Sequence, residues 1–222
     1  MAITLYYHPL SSFCHKVLIA LYEHGTAFEK RMIDLGVEED RAELEAIWRI
    51  RKFPVIWDHA RERDVPETSI IIEYLDHFYP GAATLLPKDW EAAHDVRLWD
   101  RFFDNHVQGP MGAIVLDRIT GSKGDMAGQR AALATAYRMI EERMAPREWI
   151  AGDAFSMADC AAAPALFYAA TLESFPAETR HLTAYFERLM ARPSVRRVLE
   201  EAKPYFSMYP FEEAIPARFR QA

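Results

Sequence analysis

The sequence predicts two structural halves, an α/β layer followed by an all-helical part. Strand-like and helix-like stretches alternate over roughly the first eighty residues, which is typical of a small α/β domain. After Pro87 no convincing strand pattern returns. The stretch PGAATLLPKD, at 80–89, separates the two regimes. We therefore expect a first domain over residues 1–81, a linker over 82–88 and a second domain over 89–222.

The first half opens with a strand, a turn and a helix. ITLYY at 3–7 is β-branched and aromatic, which indicates a buried strand. A His-Pro pair then turns the chain. From Ser12 onward apolar residues recur every four positions, which predicts one face of a helix. Gly25 is expected to end this helix, because glycine is favoured just after the last helical turn.

Shorter patterns fill the rest of the first half. Residues 28–34 could form a second strand, and 38–50 a weakly amphipathic helix. VIW at 55–57 indicates a short strand, which Pro54 can only begin because it lacks an N–H. After a turn and one further possible strand, helical spacing resumes at Thr68.

The second half reads as helices throughout. A long helix is predicted over 89–107, and GPMG at 109–112 should kink or break it. An Ala-rich helix follows at 126–144. FSMAD begins another helix, with Ser156 as its N-cap and Asp159 three residues later, a capping box in which aspartate replaces glutamate.

Composition excludes several classes of protein. The 222 residues are 50% hydrophobic with a formal net charge of -7, so nothing favours binding to DNA or RNA, which attract a basic face. The two cysteines, Cys14 and Cys160, are too few for a disulfide framework and suggest a reducing compartment. No signal peptide or membrane span is apparent. We expect a cytoplasmic protein without a metal site.

The segment HPLSSFCHK, at 8–16, concentrates the reactive side chains. Ser11 and Ser12 fit helix capping, since serine commonly precedes a helix. Cys14 is spaced as the second member of a Cys-x-x-Cys pair whose first member is Ser11. A resolving cysteine alone cannot run a dithiol cycle. Cys14 is therefore either a small core residue or a redox group.

Five segments in order resemble the glutathione transferase family, and the match runs nearly end to end. They are the serine turn before the first helix, Phe-Pro at 53–54, ETSIIIEYL at 67–75, FSMAD at 155–159 and ARPSV at 191–195. The chain is similar to the cytosolic, bacterial-like members with a serine/cysteine-type N-terminal motif. The resemblance implies a thioredoxin-like α/β N-terminal domain, an all-α C-terminal domain and a homodimer, with no nucleic acid or membrane partner.

The resemblance also implies a reaction. Glutathione would bind the first domain as a co-substrate, and its thiolate would attack a small apolar electrophile. Ser11 stands where related proteins place the residue that meets the glutathione sulfur, and a serine there donates a hydrogen bond rather than acting as a base. A tyrosine at position 6 or 7 is the other candidate for this role.

The remaining implied contacts hold the rest of the glutathione molecule. A cis peptide before Pro54 would aim the backbone of Phe53 at the cysteinyl part. Glu67 would meet the γ-glutamyl ammonium, and the Thr68 hydroxyl and N–H its carboxylate. Lys52, with its neighbouring arginines, could reach the glycyl carboxylate.

Departures from the family pattern keep two alternatives open. The usual Asn-Pro-x-Gly-Lys-Val-Pro lead into Pro54 here reads WRIRKFP, without the asparagine and the glycine. This change favours a noncatalytic binding protein of the same fold. The other alternative is a glutathione-dependent thiol–disulfide oxidoreductase or peroxidase that uses Cys14. The tail KPYFSMYPF could line the electrophile pocket or pack on the helical domain.

Overall fold

The chain folds into two compact units in a computed structural model that describes residues 2–220. The units are Met1–Leu86 and Pro87–Ala222, and the division falls within the stretch 82–88. The outermost ends of the two expected domains, residue 1 and residues 221–222, lie outside the described part.

The first unit contains a four-stranded mixed sheet in the order β2-β1-β3-β4. Strand β1 runs parallel to β2 and antiparallel to β3, which in turn pairs antiparallel with β4. Together with the helical second unit, this sheet confirms the predicted fold class. The elements are β1 Ile3–Tyr7, α1 Ser12–His24, β2 Glu29–Met32, α2 Glu38–Ile47, β3 Val55–Asp58, β4 Arg63–Pro66 and α3 Thr68–Phe78.

Strand β4 confirms the further strand that the sequence suggested between β3 and the helix beginning at Thr68. Its sequence, RDVP, carries a single fully buried apolar residue, Val65. The strand forms because Val65 pairs with Ile56 of β3, and Pro66 closes the edge opposite Val55. Such a short edge strand is stabilised by its partner rather than by its own residue preferences.

Helix α1 ends as predicted, and the end of α3 approaches it closely. Gly25 caps α1 in the left-handed conformation with a φ of 71°. Downstream of α3, a Cβ atom on Gly81 would lie only 2.0 Å from the carbonyl oxygen of His24. The same carbonyl accepts the N–H of Ala82 at 3.0 Å. Only glycine fits where two backbone segments come this close.

The regular secondary structure among the described residues of the second unit is helical, apart from one isolated bridge between Trp149 and Gly152. None of the helices within residues 2–220 is long and apolar enough to cross a membrane. The helices are α4 Trp90–Phe102, a π-helical segment Phe103–Gln108, α5 Gly109–Thr120, α6 Ala127–Met144, α7 Met157–Ala169, α8 Arg180–Ala191, α9 Pro193–Ala202, the 3₁₀ segments Lys203–Met208 and Glu212–Ala214, and α10 Ala217–Arg220.

The helix predicted over 89–107 does not break at 109–112. The chain stays helical from Trp90 to Thr120, and the irregularity is the π-helical segment Phe103–Gln108 just before Gly109. Pro110 lies just after this π-helical segment, at the beginning of α5.

The capping box at the start of α7 is confirmed. Asp159 is fully buried, and its carboxylate accepts both the N–H and the hydroxyl of Ser156 at 2.9 Å. It also accepts the Ile150 N–H at 3.2 Å and the Tyr185 hydroxyl at 2.6 Å. Burial raises the pKa of Asp159 against the lowering effect of these donors. The residue is a structural cap, as expected.

The C-terminal tail packs within the helical unit. Phe206 is buried and stacks on Phe167 of α7, with ring centroids 6.2 Å apart. The hydroxyl of Tyr209 lies 2.8 Å from the hydroxyl of Thr171. Of the two interpretations of the tail, packing on helices is the one these contacts support.

Candidate active site

The turn after β1 places Ser11 at the start of α1. The Ser11 N–H donates to the carbonyl oxygen of His8 at 3.1 Å. Ser11 is the N-cap of α1, and its Oγ accepts the N–H of Cys14 at 3.3 Å. A hydroxyl has one hydrogen to donate and two positions to accept. Ser11 can therefore cap the helix and still donate to an anion, which the positive end of the helix dipole also favours.

Cys14 is a core residue with a buried thiol. Its side chain is fully buried, and its sulfur accepts the backbone N–H of His8 at 3.4 Å. Burial raises the pKa of Cys14 to about 12, although Ser11 and the His8 N–H act in the opposite direction. Thiol exchange requires a thiolate that is accessible. This geometry disfavours the redox interpretation of Cys14.

The peptide bond between Phe53 and Pro54 is cis. The strand pairing of β3 begins at Val55, so Phe53 lies just outside the paired residues of the sheet. Its ring packs against a small core cluster formed by Ile33, Leu44 and Val55. The ring of His8 stacks on it with centroids 5.9 Å apart and planes 18° apart.

Glu67 and Thr68 form the start of α3, but not as an ordinary cap. Glu67 occupies the N-cap position with φ 69° and ψ 117°, and its side chain makes no capping hydrogen bond. Its carboxylate is exposed, whereas Thr68 is 7% exposed. Glu67 therefore does not cap the helix that it precedes. The first N–H groups of α3 therefore lack a cap from Glu67.

The basic loop before Pro54 is exposed. Lys52 and Arg49 are solvent-accessible, and Arg51 lies 3.7 Å from Glu45 of α2. Arg51 has a φ of 54°, a conformation that favours glycine. It stands where the related pattern has its glycine. The backbone thus adopts a glycine-type conformation at this position although the residue is arginine.

Strand register brings these segments to one end of the sheet. Tyr6, near the end of β1, pairs with Val55 at the start of β3. Val55 in turn pairs with Pro66 at the end of β4. The turn that follows β1, the Phe53-Pro54 peptide and the Glu67-Thr68 pair therefore emerge side by side. A contact across the same end of the unit joins Lys16 of α1 to Ser69 of α3, Nζ to Oγ, at 3.0 Å.

The sequence did not predict the environment of two residues in this region, His8 and Lys16. His8 was predicted only as part of a turn, yet its ring contacts Phe53. Lys16 is fully buried between helices although lysine is the residue type least expected there. In the sequence, the only indication that Lys16 is buried is its position among the apolar residues of the helical pattern. Tyr6, the alternative thiol ligand, packs against the Ile33 cluster, and burial raises its pKa.

No group of three or more histidine, cysteine, aspartate or glutamate side chains within residues 2–220 is arranged to hold a metal ion. Cys14 and Cys160 are both buried, and neither forms a disulfide.

Comparison with known proteins identifies the class to which this fold belongs. Residues 5–83 match the family model for the glutathione S-transferase N-terminal domain, and residues 102–193 match that for the C-terminal domain. The chain therefore belongs to the glutathione transferase family.

Individual relatives agree with this assignment. A probable glutathione S-transferase GSTU1 of Oryza sativa subsp. japonica is 33% identical over 150 residues, 64% of this chain and 62% of that protein. Glutathione S-transferase U24 of Arabidopsis thaliana is 27% identical over 87% of each chain. A glutathione S-transferase of Methylobacillus flagellatus KT, solved with glutathione bound, shares the fold with a TM-score of 0.76 at 22% identity, over 88% of this chain and 98% of that one.

Proposed function

We propose that this protein is a catalytically active glutathione transferase that joins the glutathione thiolate to a small apolar electrophile. The single observation that carries the proposal is the strand register that gathers the turn before Ser11, the cis Phe53-Pro54 peptide and the Glu67-Thr68 pair at one end of the sheet. Each segment supplies a different kind of contact, and together they match the parts of one glutathione molecule.

Ser11 is the proposed catalytic residue. Its hydroxyl donates to the glutathione sulfur and stabilises the thiolate in front of α1. A hydrogen bond to a charged group is worth roughly 1.5–3 kcal/mol, which corresponds to about one to two pKa units on a thiol. The bound thiol is then largely ionised near neutral pH, and its proton leaves to solvent. The thiolate forms the carbon–sulfur bond by addition, or by substitution with loss of a leaving group.

The other proposed contacts orient the peptide. The N–H and C=O of Phe53 pair with the cysteinyl part like an added strand, and Pro54 fixes the direction of that backbone. The Thr68 hydroxyl and N–H bind the γ-glutamyl carboxylate at the start of α3. Glu67 binds the γ-glutamyl ammonium, and Lys52 binds the glycyl carboxylate. Holding both reactants close then lowers the entropic part of the barrier.

Two alternatives receive less support. Burial and the raised pKa of Cys14 disfavour a thiol–disulfide oxidoreductase or peroxidase. A noncatalytic binding protein was suggested by the lost glycine of WRIRKFP. Arg51 nevertheless has a φ of 54°, a conformation that favours glycine, which argues against this alternative.

We also propose that the protein is a cytoplasmic homodimer. Large apolar side chains are exposed on α3 and α4, with Ile70 at 55%, Trp90 at 68% and Leu98 at 56%. A mainly apolar hollow of about 460 Å³ lies on the helical unit, lined by Phe102, His106, Pro110, Ala131, Ala132, Thr135, Ala136 and Met139. Exposed apolar surface of this kind commonly marks an interface.

Thiolate absorbance against pH, at saturating glutathione, tests the proposed function. The wild type should lower the thiol pKa of bound glutathione below its free value, and Ser11→Ala should raise it by about one to two units. The rate at neutral pH should fall roughly ten- to a hundredfold. Cys14→Ala is the matched control, because it removes a buried thiol one turn away and should leave the bound thiol pKa unchanged. If Cys14→Ala abolishes turnover while Ser11→Ala does not, the redox function is the correct one.

A further inference from the structure

His8 links the two sides of the proposed thiol site. It follows β1 directly and is half-buried. Its backbone carbonyl accepts the Ser11 N–H at 3.1 Å, and its backbone N–H donates to the Cys14 sulfur at 3.4 Å. Its side chain contacts the opposite wall, because the imidazole stacks on the ring of Phe53. One residue thus touches the turn that carries the hydroxyl and the segment whose backbone is proposed to bind the peptide.

The imidazole also stabilises its own turn. Its Nδ1 accepts the backbone N–H of Leu10 at 3.2 Å, which assigns the hydrogen of the neutral ring to Nε2. Burial lowers the pKa of His8, although Asp34 acts against this effect, and the neutral ring is favoured at neutral pH. A protonated ring would place a hydrogen on Nδ1 opposite the Leu10 N–H and break this bond.

We propose that His8 is a positioning residue, whose neutral imidazole holds the Ser11 turn in a fixed relation to Phe53. This inference rests on the proposed function. The hydroxyl of Ser11 stabilises a thiolate only when the sulfur, fixed by the Phe53 backbone, lies within hydrogen-bond distance. Small displacements of either partner weaken such an interaction steeply. The two partners are far apart in sequence, and the ring of His8 spans them.

The imidazole combines two properties that other side chains offer singly. Asparagine places an acceptor near the Nδ1 position but has no aromatic ring. Phenylalanine supplies a flat ring without an acceptor. Glutamine places an amide nitrogen near the Nε2 position but lacks an Nδ1 counterpart. These three substitutions therefore separate the turn contact, the stacking contact and a direct donor role for Nε2.

The experiment compares His8→Asn, His8→Phe and His8→Gln with the wild type. Calorimetry gives the affinity for glutathione, thiolate absorbance gives the pKa of the bound thiol, and thermal unfolding reports folding. Asn and Phe should each raise the bound thiol pKa, and should also weaken binding by about three- to tenfold, the usual loss for one aromatic contact or hydrogen bond. His8→Gln should not restore the wild-type values of the bound thiol pKa and the glutathione affinity. A purely structural role would lower thermal stability without moving the thiol pKa.

The stacking partner supplies a second route to the same answer if a His8 variant fails to fold. Phe53→Leu removes the ring contact from the other side and keeps the backbone of residue 53. The loss caused by His8→Asn should then be much smaller in the Phe53→Leu background than in the wild type. Fully additive losses would contradict a role that acts through the ring contact.

Different failures point to different errors. A wild type that binds glutathione without lowering its thiol pKa refutes the proposed function. A wild type that lowers the pKa, with Asn and Phe variants that lower it equally, overturns the role of His8. Recovery by His8→Gln alone also overturns it, because Nε2 would then act on the sulfur directly.

Discussion

Glu67 has a backbone conformation that its residue type does not favour. With φ 69° and ψ 117° it lies outside the common regions for a residue with a Cβ atom. Such strain costs on the order of 1–3 kcal/mol and persists where the surroundings impose it. The side chain does not use this position to cap α3. The conformation is therefore consistent with a carboxylate held for a ligand.

Glu67→Gly should change stability and binding in opposite directions. Relief of the strained φ should raise the free energy of unfolding by about 1 kcal/mol. Loss of the charged partner should weaken glutathione binding by about tenfold or more, as for a charge-assisted hydrogen bond. Denaturant unfolding and calorimetry measure the two effects. Arg51→Gly is the matched control, because it relieves a similar φ without removing the proposed ammonium ligand.

A Glu67→Gly variant with wild-type affinity would contradict the assignment of Glu67. Glu67→Gln then separates charge from shape, because it keeps the side chain length but loses the negative charge. We expect its affinity to fall between those of the wild type and the glycine variant.

At the scale of elements, α2 is anchored by one arginine of β2. Arg31 donates from Nη2 to Asp40 and to Glu43, each at 2.6 Å, and from Nε to Glu43 at 3.1 Å. Asp40 also accepts the Asp34 N–H at 2.7 Å. Leu44 is the fully buried residue of α2, and it belongs to the cluster that supports Phe53. Arg31 thus fixes α2, the helix that packs near Phe53, whose backbone is proposed to bind glutathione.

Arg31→Met should raise KM for glutathione several-fold with little change of kcat at saturation. The physical reason is that α2 loosens over Phe53 before ligand binds, while the filled site restores its order. Steady-state kinetics at varied glutathione measures the split. Arg197→Met, which breaks an exposed pair with Glu201 in α9, is the control of equal charge. A fall in kcat with unchanged KM would contradict this role of α2.

The same contact should respond to acid. The Asp34 N–H and Arg31 lower the pKa of Asp40 below its ordinary value of 3.8. An acid whose pKa is lowered by folding stabilises the folded state above its unfolded pKa, and that contribution is lost as pH falls through the folded value. The effect of Arg31→Met on KM should therefore shrink only below about pH 4.

At the scale of the whole molecule, the proposed homodimer buries the exposed apolar residues of α3 and α4. Light scattering at micromolar concentration should give about twice the mass of one chain. Leu98→Glu on α4 should shift the mass toward the monomer, because a buried unpaired charge is strongly unfavourable. Ile119→Glu on α5 is the control, since Ile119 is exposed to a similar extent, 65% against 56%. A wild-type protein that is monomeric at this concentration would contradict the proposed homodimer.

Much of the fold could be predicted because its signals are local. The four-residue spacing predicted α1, and Gly25 predicted its end. The pair Ser156 and Asp159 predicted the start of α7. These features depend on residues one or two turns apart, which the chain order already brings together. The resemblance to the family added the site residues, which no local pattern could assign to a ligand.

Other features were decided only by contacts between distant segments. The ring of His8, in the turn after β1, contacts Phe53 because β1 and the start of β3 pair at Tyr6 and Val55. Strand β4 forms because it pairs with β3, and that pairing sets where Glu67 of the candidate site follows the sheet. The reactivity of Cys14 was undetermined in the sequence, since a thiol pKa depends on surrounding atoms. Burial by tertiary packing raises it to about 12, because a thiolate loses its hydration in an apolar core.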